Sequence, residues 1–197
     1  MTPLEHVPDD LELLYEFQEW RHATAILATD FPAEWAEIVD VLRGFRLKRS
    51  DVAAKGGRKS PVATSIDGAF YARGWVEKRF DTKIQIDADT HDSPTHKVDC
   101  FKNRIALEVE WNNKDPFFDR DLNNFRLLFD LRVISVGVII TRCDELQAIF
   151  ESLEKGSSYG NSTTHMSKLI PRIEGGGGGG CPILVAGIKS DLYDPMV

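Results

Sequence analysis

Residues 98–111 read VDCFKNRIALEVEW. Ile105, Ala106, Leu107 and Val109 are apolar and partly β-branched, which predicts a strand buried in a sheet. Glu108 and Glu110 interrupt that pattern. Side chains alternate across a strand, so residues two apart share a face. The two glutamates therefore project side by side, with Asp99 upstream. Like charges on a buried strand cost free energy unless something positive lies between them. A hard divalent cation such as Mg²⁺, which takes carboxylate, carbonyl and water oxygens, meets that need.

Asp99, Glu108 and the backbone carbonyl of Val109 are the candidate ligands. Glu110 is then left to orient an attacking water or to take its proton as it reaches phosphorus. An exposed edge strand whose acids face water is the plainer alternative. Asp99 upstream and the polar continuation WNNK weigh against it.

Around this stretch the apolar spacing predicts a helix over 9–26, from Leu11, Leu14, Tyr15, Phe17 and Ile26. A second is predicted in FPAEWAEIVDVLRGF, with Pro32 at its start, and a third in PVATSIDGAFYARGW, weakened by Gly68. TKIQIDA and THKVDCF read as strands preceding RIALEVEW. Residues 116–132 space Phe118, Leu122, Phe125 and Phe129 as an amphipathic helix. RVISVGVIIT is apolar almost throughout, as in a central strand buried on both faces. A helix in CDELQAIFESLEK, the polar loop GSSYGNSTTH, a short helical piece, six glycines (175–180) and a final strand PILVAGI complete the chain. This order predicts an α/β fold with a central mixed β-sheet flanked by helices. The glycine run lacks the Lys-Ser/Thr pair of a phosphate-binding loop and reads as a flexible connection.

A length of 197 residues suits one domain, 1–197, with a helical and basic segment up to residue 60 and a core from residue 61. No apolar run approaches a membrane span, and the N-terminus lacks the basic-then-apolar pattern of a secretory signal. Cys100, Cys143 and Cys181 are odd in number and scattered, which fits reduced thiols in a cytoplasm. Neither they nor the dispersed histidines have zinc-ligand spacing. The net charge of -7 argues against a nonspecific nucleic-acid binder. Its distribution is uneven, however. In 43–60, Arg43, Arg46, Lys48, Arg49, Lys55, Arg58 and Lys59 face the single acid Asp51. Two readings stay open for that segment: a solvated basic loop, or one that contacts phosphates, with Arg58 and Lys59 as candidates.

Asp99, Glu108 and Glu110 in this order resemble the core of the PD-(D/E)XK nucleases, and specifically restriction endonucleases of the BglII/BstYI type. SPVATSIDGAFYARGW is similar to the segment before that family's first strand, ISVGVII to its central strand, and GSSYG and PILVAGI to its C-terminal third. The resemblance spans about residues 60–189. The family commonly carries Gln at the third position, and Lys is usual in the wider superfamily. Glu110 here gives instead the ExE arrangement of BamHI. A second carboxylate is compatible with metal-dependent hydrolysis, strengthens dependence on the divalent ion, and leaves the general base unassigned.

The resemblance implies a restriction-endonuclease-like (PD-(D/E)XK) core and a type II enzyme. Such an enzyme would hydrolyse double-stranded DNA with Mg²⁺ at a short palindromic site, leaving 5′-phosphates. It also implies a homodimer, since two-fold protein symmetry mirrors a palindrome, and a cognate DNA methyltransferase in the same prokaryotic host. Candidates for reading DNA follow the catalytic strand (Asn112, Asn113, Lys114) or lie in the polar loop (Ser157, Ser158, Tyr159, Asn161 and on to His165). Arg172 is a further candidate. The loop is equally readable as an ordinary polar turn. Two other functions remain open: a structure-specific repair or junction nuclease of the same superfamily, and a catalytically silent DNA-binding module.

Overall fold

A mixed sheet of six strands organises the protein. The structure is a computed structural model that describes residues 4–54, 59–92 and 95–197, without the side chains of Ile84 and Asp92. In chain order the elements are α1 (Asp9–Glu12), β1 (Tyr15–Trp20), α2 (Ala23–Asp30), α3 (Pro32–Gly44), β2 (Leu47–Lys48) and α4 (Arg49–Ala53). Then follow α5 (Pro61–Tyr71), β3 (Val76–Lys78), β4 (Lys83–Ile86), β5 (Asp89–Asp92), β6 (Val98–Lys102) and β7 (Ile105–Val109). The last are α6 (Pro116–Asp130), β8 (Val136–Arg142), α7 (Leu146–Ser152), α8 (Met166–Glu174), β9 (Ile183–Ile188) and β10 (Tyr193–Asp194).

The main sheet has the order β1-β9-β8-β7-β6-β3. β7, β8 and β9 run parallel, and β1, β6 and β3 pair antiparallel at the two sides. The protein is thus α/β with a mixed sheet flanked by helices. Strand alternation divides the core in two. Ile105, Leu107, Val109, Val138, Ile140, Leu184 and Ala186 pack with the helices of the N-terminal half. Ala106, Ile139, Ile183 and Val185 face the opposite way, against Phe118, Leu122 and Phe125 of α6 and Leu169 and Ile173 of α8. β8 is buried along its whole length, as the apolar run over 136–140 predicts, and the burial extends to Thr141 and Arg142 at its end. A Cβ on Gly137 would stand 2.4 Å from the Phe125 ring, so α6 lies close on the sheet because that position is glycine.

Helix starts follow local rules. Ser60 Oγ accepts the Ala63 N–H at 3.0 Å ahead of Pro61, capping α5. Asn103 and Arg104 both have positive φ, 42° and 71°, which is the two-residue turn that matches the twist of a hairpin and here joins β6 to β7.

Three expectations need correction. The helix expected over 9–26 is α1, then β1, then part of α2. Tyr15 and Phe17 point inward with period two, and the left-handed pair Arg21 and His22 turns the chain into α2. TKIQIDA does form a strand, β4, but it pairs only with β5, outside the main sheet. The sheet edge is taken by β3, which is exposed and charged and has no apolar pattern to betray it. The glycine run is not a free connection. A Cβ at Gly178 would meet Ile183 Cδ1 at 2.4 Å, and Gly179 has φ +58° against Arg126, so these glycines pack the turn onto α6 and β9. All three cysteines are free and buried. Among the described residues no helix is long and apolar enough to cross a membrane.

Candidate active site

The hairpin sets Asp99 and Glu108 against each other. One step beyond the pair Cys100 and Leu107, the Asp99 N–H donates to Glu108 Oε2 at 3.2 Å. In return the Val109 N–H donates to Asp99 Oδ2 at 3.2 Å. Glu108 is fully buried on the α6 face of the sheet. Glu110, two residues on, lies on the same face at the exit of β7, where its N–H still bonds Ile140 O at 2.9 Å. Its carboxylate accepts from Asn113 Nδ2 at 2.8 Å and from Arg120 Nη2 at 3.2 Å.

A fourth acid joins them from α6. Asp121 is fully buried, and Arg120 Nε donates to its Oδ1 at 2.9 Å. Burial and then the Asp121 charge push the Glu110 carboxyl up to about 9. Burial, then Asp121 and Asp99, raise Glu108 well above the carboxylate range, and burial raises Asp121. This cluster therefore holds protons at neutral pH unless a cation replaces them. Asp121 shares the inward stripe of α6 with Phe118, Leu122 and Phe125. An acid in an otherwise apolar stripe was the signal in the sequence that could have found it.

A cleft of about 350 Å³ opens on the cluster, lined by His96, Asp99, Val109, Glu110, Asn113, Phe117, Arg120 and Lys59 among others. Glu108 stands behind its wall. The donor set suits a hard divalent ion: two carboxylates, the Val109 carbonyl, and a Glu108 Oε1 that is buried without a hydrogen-bond partner. Among the described residues no three His, Cys, Asp or Glu side chains converge as a ready metal cluster. Glu110, expected to orient the attacking water and not to bind the metal, accepts from Asn113 and Arg120.

The residues expected to meet DNA divide into groups. Asn113 and Lys114 leave β7 alongside the polar loop. Thr164 N–H donates to Asn113 O at 2.8 Å, and Lys114 forms an antiparallel bridge with Thr163. Asn112 has φ +59° and a buried Oδ1 without a partner. Ser157, Ser158 and Asn161 are exposed. Tyr159 is not: its ring stacks on Phe150 at 4.0 Å and is 6% exposed, which suits an anchor of the loop rather than a reader of bases. Arg172 is held by Asp119 at 2.9 Å, Asp115 at 3.5 Å and Lys168 O at 2.6 Å, tying α8 to α6. Lys59 is exposed but paired. It is 2.5 Å from the buried Asp67 of α5, at the cleft. Arg58 lies outside the described residues.

An acid pair across a hairpin, a third carboxylate at the exit of the same strand and a mixed sheet behind them define an α/β protein of the restriction-endonuclease-like kind. The family model of restriction endonuclease BglII/BglIII matches residues 15–188, and the chain belongs to that family. No curated protein matches it. Membership makes the chain a nuclease that acts on double-stranded DNA, of a kind that typically uses a divalent metal.

Proposed function

We propose that the protein is a type II restriction endonuclease that hydrolyses both strands of a short palindromic DNA site with Mg²⁺ and leaves 5′-phosphates. The observation that carries this reading is the reciprocal contact of Asp99 and Glu108 at an acid-lined cleft, with Glu110 one alternation further on. Asp99, Glu108 and the Val109 carbonyl would hold the divalent ion. The ion supplies positive charge to the phosphate and makes water a stronger nucleophile at neutral pH.

The chain's own groups do the rest. Glu110 orients the attacking water through a carboxylate that Asn113 holds at Oε2 and Arg120 at Oε1. The water oxygen bonds to phosphorus, its proton leaves to a nearby acceptor, and the bond from phosphorus to the 3′ oxygen breaks. That oxygen gains a proton, so the products are a 3′-hydroxyl and a 5′-phosphate. Asn113 and Lys114, with Ser157, Ser158 and Asn161, are the groups in reach of base edges. Two-fold recognition calls for a homodimer, and a host that carries such an activity needs a methyltransferase of the same specificity.

Incubation with plasmid DNA and Mg²⁺ tests the reading. Discrete fragments with 5′-phosphate ends are expected. Nicking confined to branched or mismatched DNA would mean a repair nuclease, and intact DNA with a gel shift would mean a binding module.

A further inference from the structure

Arg142, the last residue of β8, is 2% exposed, yet its hydrogen bonds reach no acid. Its Nε has no partner. Asp144, the acid whose charge reaches it most strongly, bonds Ser167 instead, at 2.6 and 3.1 Å. Burying a cation without a counter-ion is unfavourable unless its donors find good acceptors. Here Nη2 donates to Tyr159 O at 2.8 Å and to Thr163 Oγ1 at 3.0 Å, and the guanidinium lies 5.3 Å from the centre of the Phe150 ring.

Those two acceptors stand on either side of Gly160, Asn161 and Ser162, the tip of the loop between α7 and α8. Asn161 and Ser162 are exposed. The far side of the tip is fastened to the exit of the catalytic strand: Asp115 N–H donates to Ser162 O at 3.0 Å and Thr164 Oγ1 to Glu110 O at 3.2 Å. Tyr159, beneath the tip, is within 6.0 Å of Trp111, the residue after Glu110. One buried guanidinium thus closes the loop from below while the strand exit closes it from the side.

We propose that Arg142 is the positioning residue for DNA specificity: by gripping Tyr159 O and Thr163 Oγ1 it fixes the Asn161–Ser162 tip beside Asn113 and Lys114, so that both are presented to the same base pairs. This rests on the reading of the protein as a sequence-specific nuclease. The grip itself is independent of that reading.

The test compares Arg142→Met, Thr163→Val and Thr163→Ser with the wild-type protein. Thr163→Val removes one of the two acceptors, and with it the bond that Thr163 Oγ1 donates to Gly160 O at 2.8 Å, without touching the buried charge, so it serves beside Arg142→Met, which alone isolates the guanidinium. Two quantities are measured: amide hydrogen exchange over 160–164, and the ratio of single-turnover cleavage rates on a cognate duplex and one with a single altered base pair. Exchange should quicken about tenfold or more in Arg142→Met and Thr163→Val as the loop opens locally. The ratio should fall about tenfold, the lower end of what one mismatched base pair costs. Thr163→Ser, which keeps the hydroxyl, should match the wild type in both. Unchanged exchange would overturn the positioning claim whatever the protein cuts. Faster exchange with an unchanged ratio would overturn the link to specificity. A wild type that cuts no site would overturn the nuclease reading instead, and the exchange arm would then decide the grip alone.

Discussion

Glu110 and Asp121 face one buried space with a single guanidinium between them: Arg120 Nη2 is 3.2 Å from Glu110 Oε1 and 2.8 Å from Asp121 Oδ1. With Glu108 close by, three carboxylates share one positive charge. The protein free of divalent ion therefore binds protons at this site more tightly than its unfolded chain does. Such groups stabilise the fold at low pH, and that stability is lost as pH rises through their folded values, here up to about 9 for Glu110. His96, which is exposed, and the buried His165, both with lowered values, act in the opposite sense below about pH 6.5, so the window above that is the cleaner one. The melting temperature in EDTA should fall between about pH 7 and 9, and Mg²⁺ should flatten the slope. A melting temperature that stays level or rises across that window in EDTA would count against the cluster.

Replacing Asp121 by Asn removes one of the crowded charges and leaves an acceptor for Arg120. In EDTA near pH 8 this variant should melt above the wild type, and the difference should shrink as the pH falls towards 5 and the raised carboxyls take up protons. Cleavage should nevertheless slow, because Glu110 loses the neighbour that sets its ionisation. Calorimetry at the two pH values checks the first part and single-turnover cleavage the second.

Glu110→Gln should be milder than Glu110→Ala. Gln keeps an oxygen for Asn113 Nδ2 and for the attacking water, whereas Ala keeps neither. Loss in Ala should be about 100-fold or more, the scale of general acid–base catalysis. Equal, severe losses in single-turnover cleavage would show that Glu110 must carry charge, as a proton acceptor or as a metal ligand.

Glu108→Ala should abolish cleavage and spare DNA binding, since removing an acid does not weaken attraction to phosphate. Glu108 Oε2 also accepts the Asp99 N–H, so Glu108→Gln, which can keep that bond, is the control for misfolding. Cleavage near the wild-type rate in either variant is the result that defeats the assignment.

Lys59→Ala should destabilise the protein by about 1–3 kcal/mol, the cost of leaving a buried acid unsatisfied, because Asp67 is 1% exposed. Adding Asp67→Asn should recover most of that loss. Denaturant unfolding of the four members of the cycle measures it. A Lys59→Ala protein as stable as the wild type, with weaker binding to all duplexes, would return Lys59 to the role of a surface phosphate contact.

The hairpin that carries Asp99 and Glu108 was legible because both of its signals are local: alternation along RIALEVEW and acids at fixed offsets. β8 was legible because burial on both faces leaves its first five residues, 136–140, without a polar side chain to confuse the period. β1 was not. Its inward residues Tyr15 and Phe17 are only two, α1 and α2 press on both sides, and its partner β9 lies at the other end of the chain. Asp121 was hidden for a related reason: an acid on a helix reads as solvated until the sheet that covers it is known. The contacts of Tyr159 with Phe150 and of Arg172 with Asp115 and Asp119 were likewise not legible, because only the fold brings those partners to them.

The turn at Asn103 and Arg104 has a consequence for how this sequence can change. In a hairpin closed by two residues, partners sit at equal steps from the turn, and Asp99 and Glu108 are each the fourth residue before and after the adjoining pair Asn103–Arg104. Their separation along the chain is therefore set by the loop and not by any affinity between the acids. One residue added to either strand between the turn and its acid, without a compensating bulge, would carry Asp99 to the opposite side of the sheet from Glu108. Insertions here are tolerable only in matched pairs, one in each strand, so the spacing of the acids in the sequence is the imprint of a turn that never touches DNA.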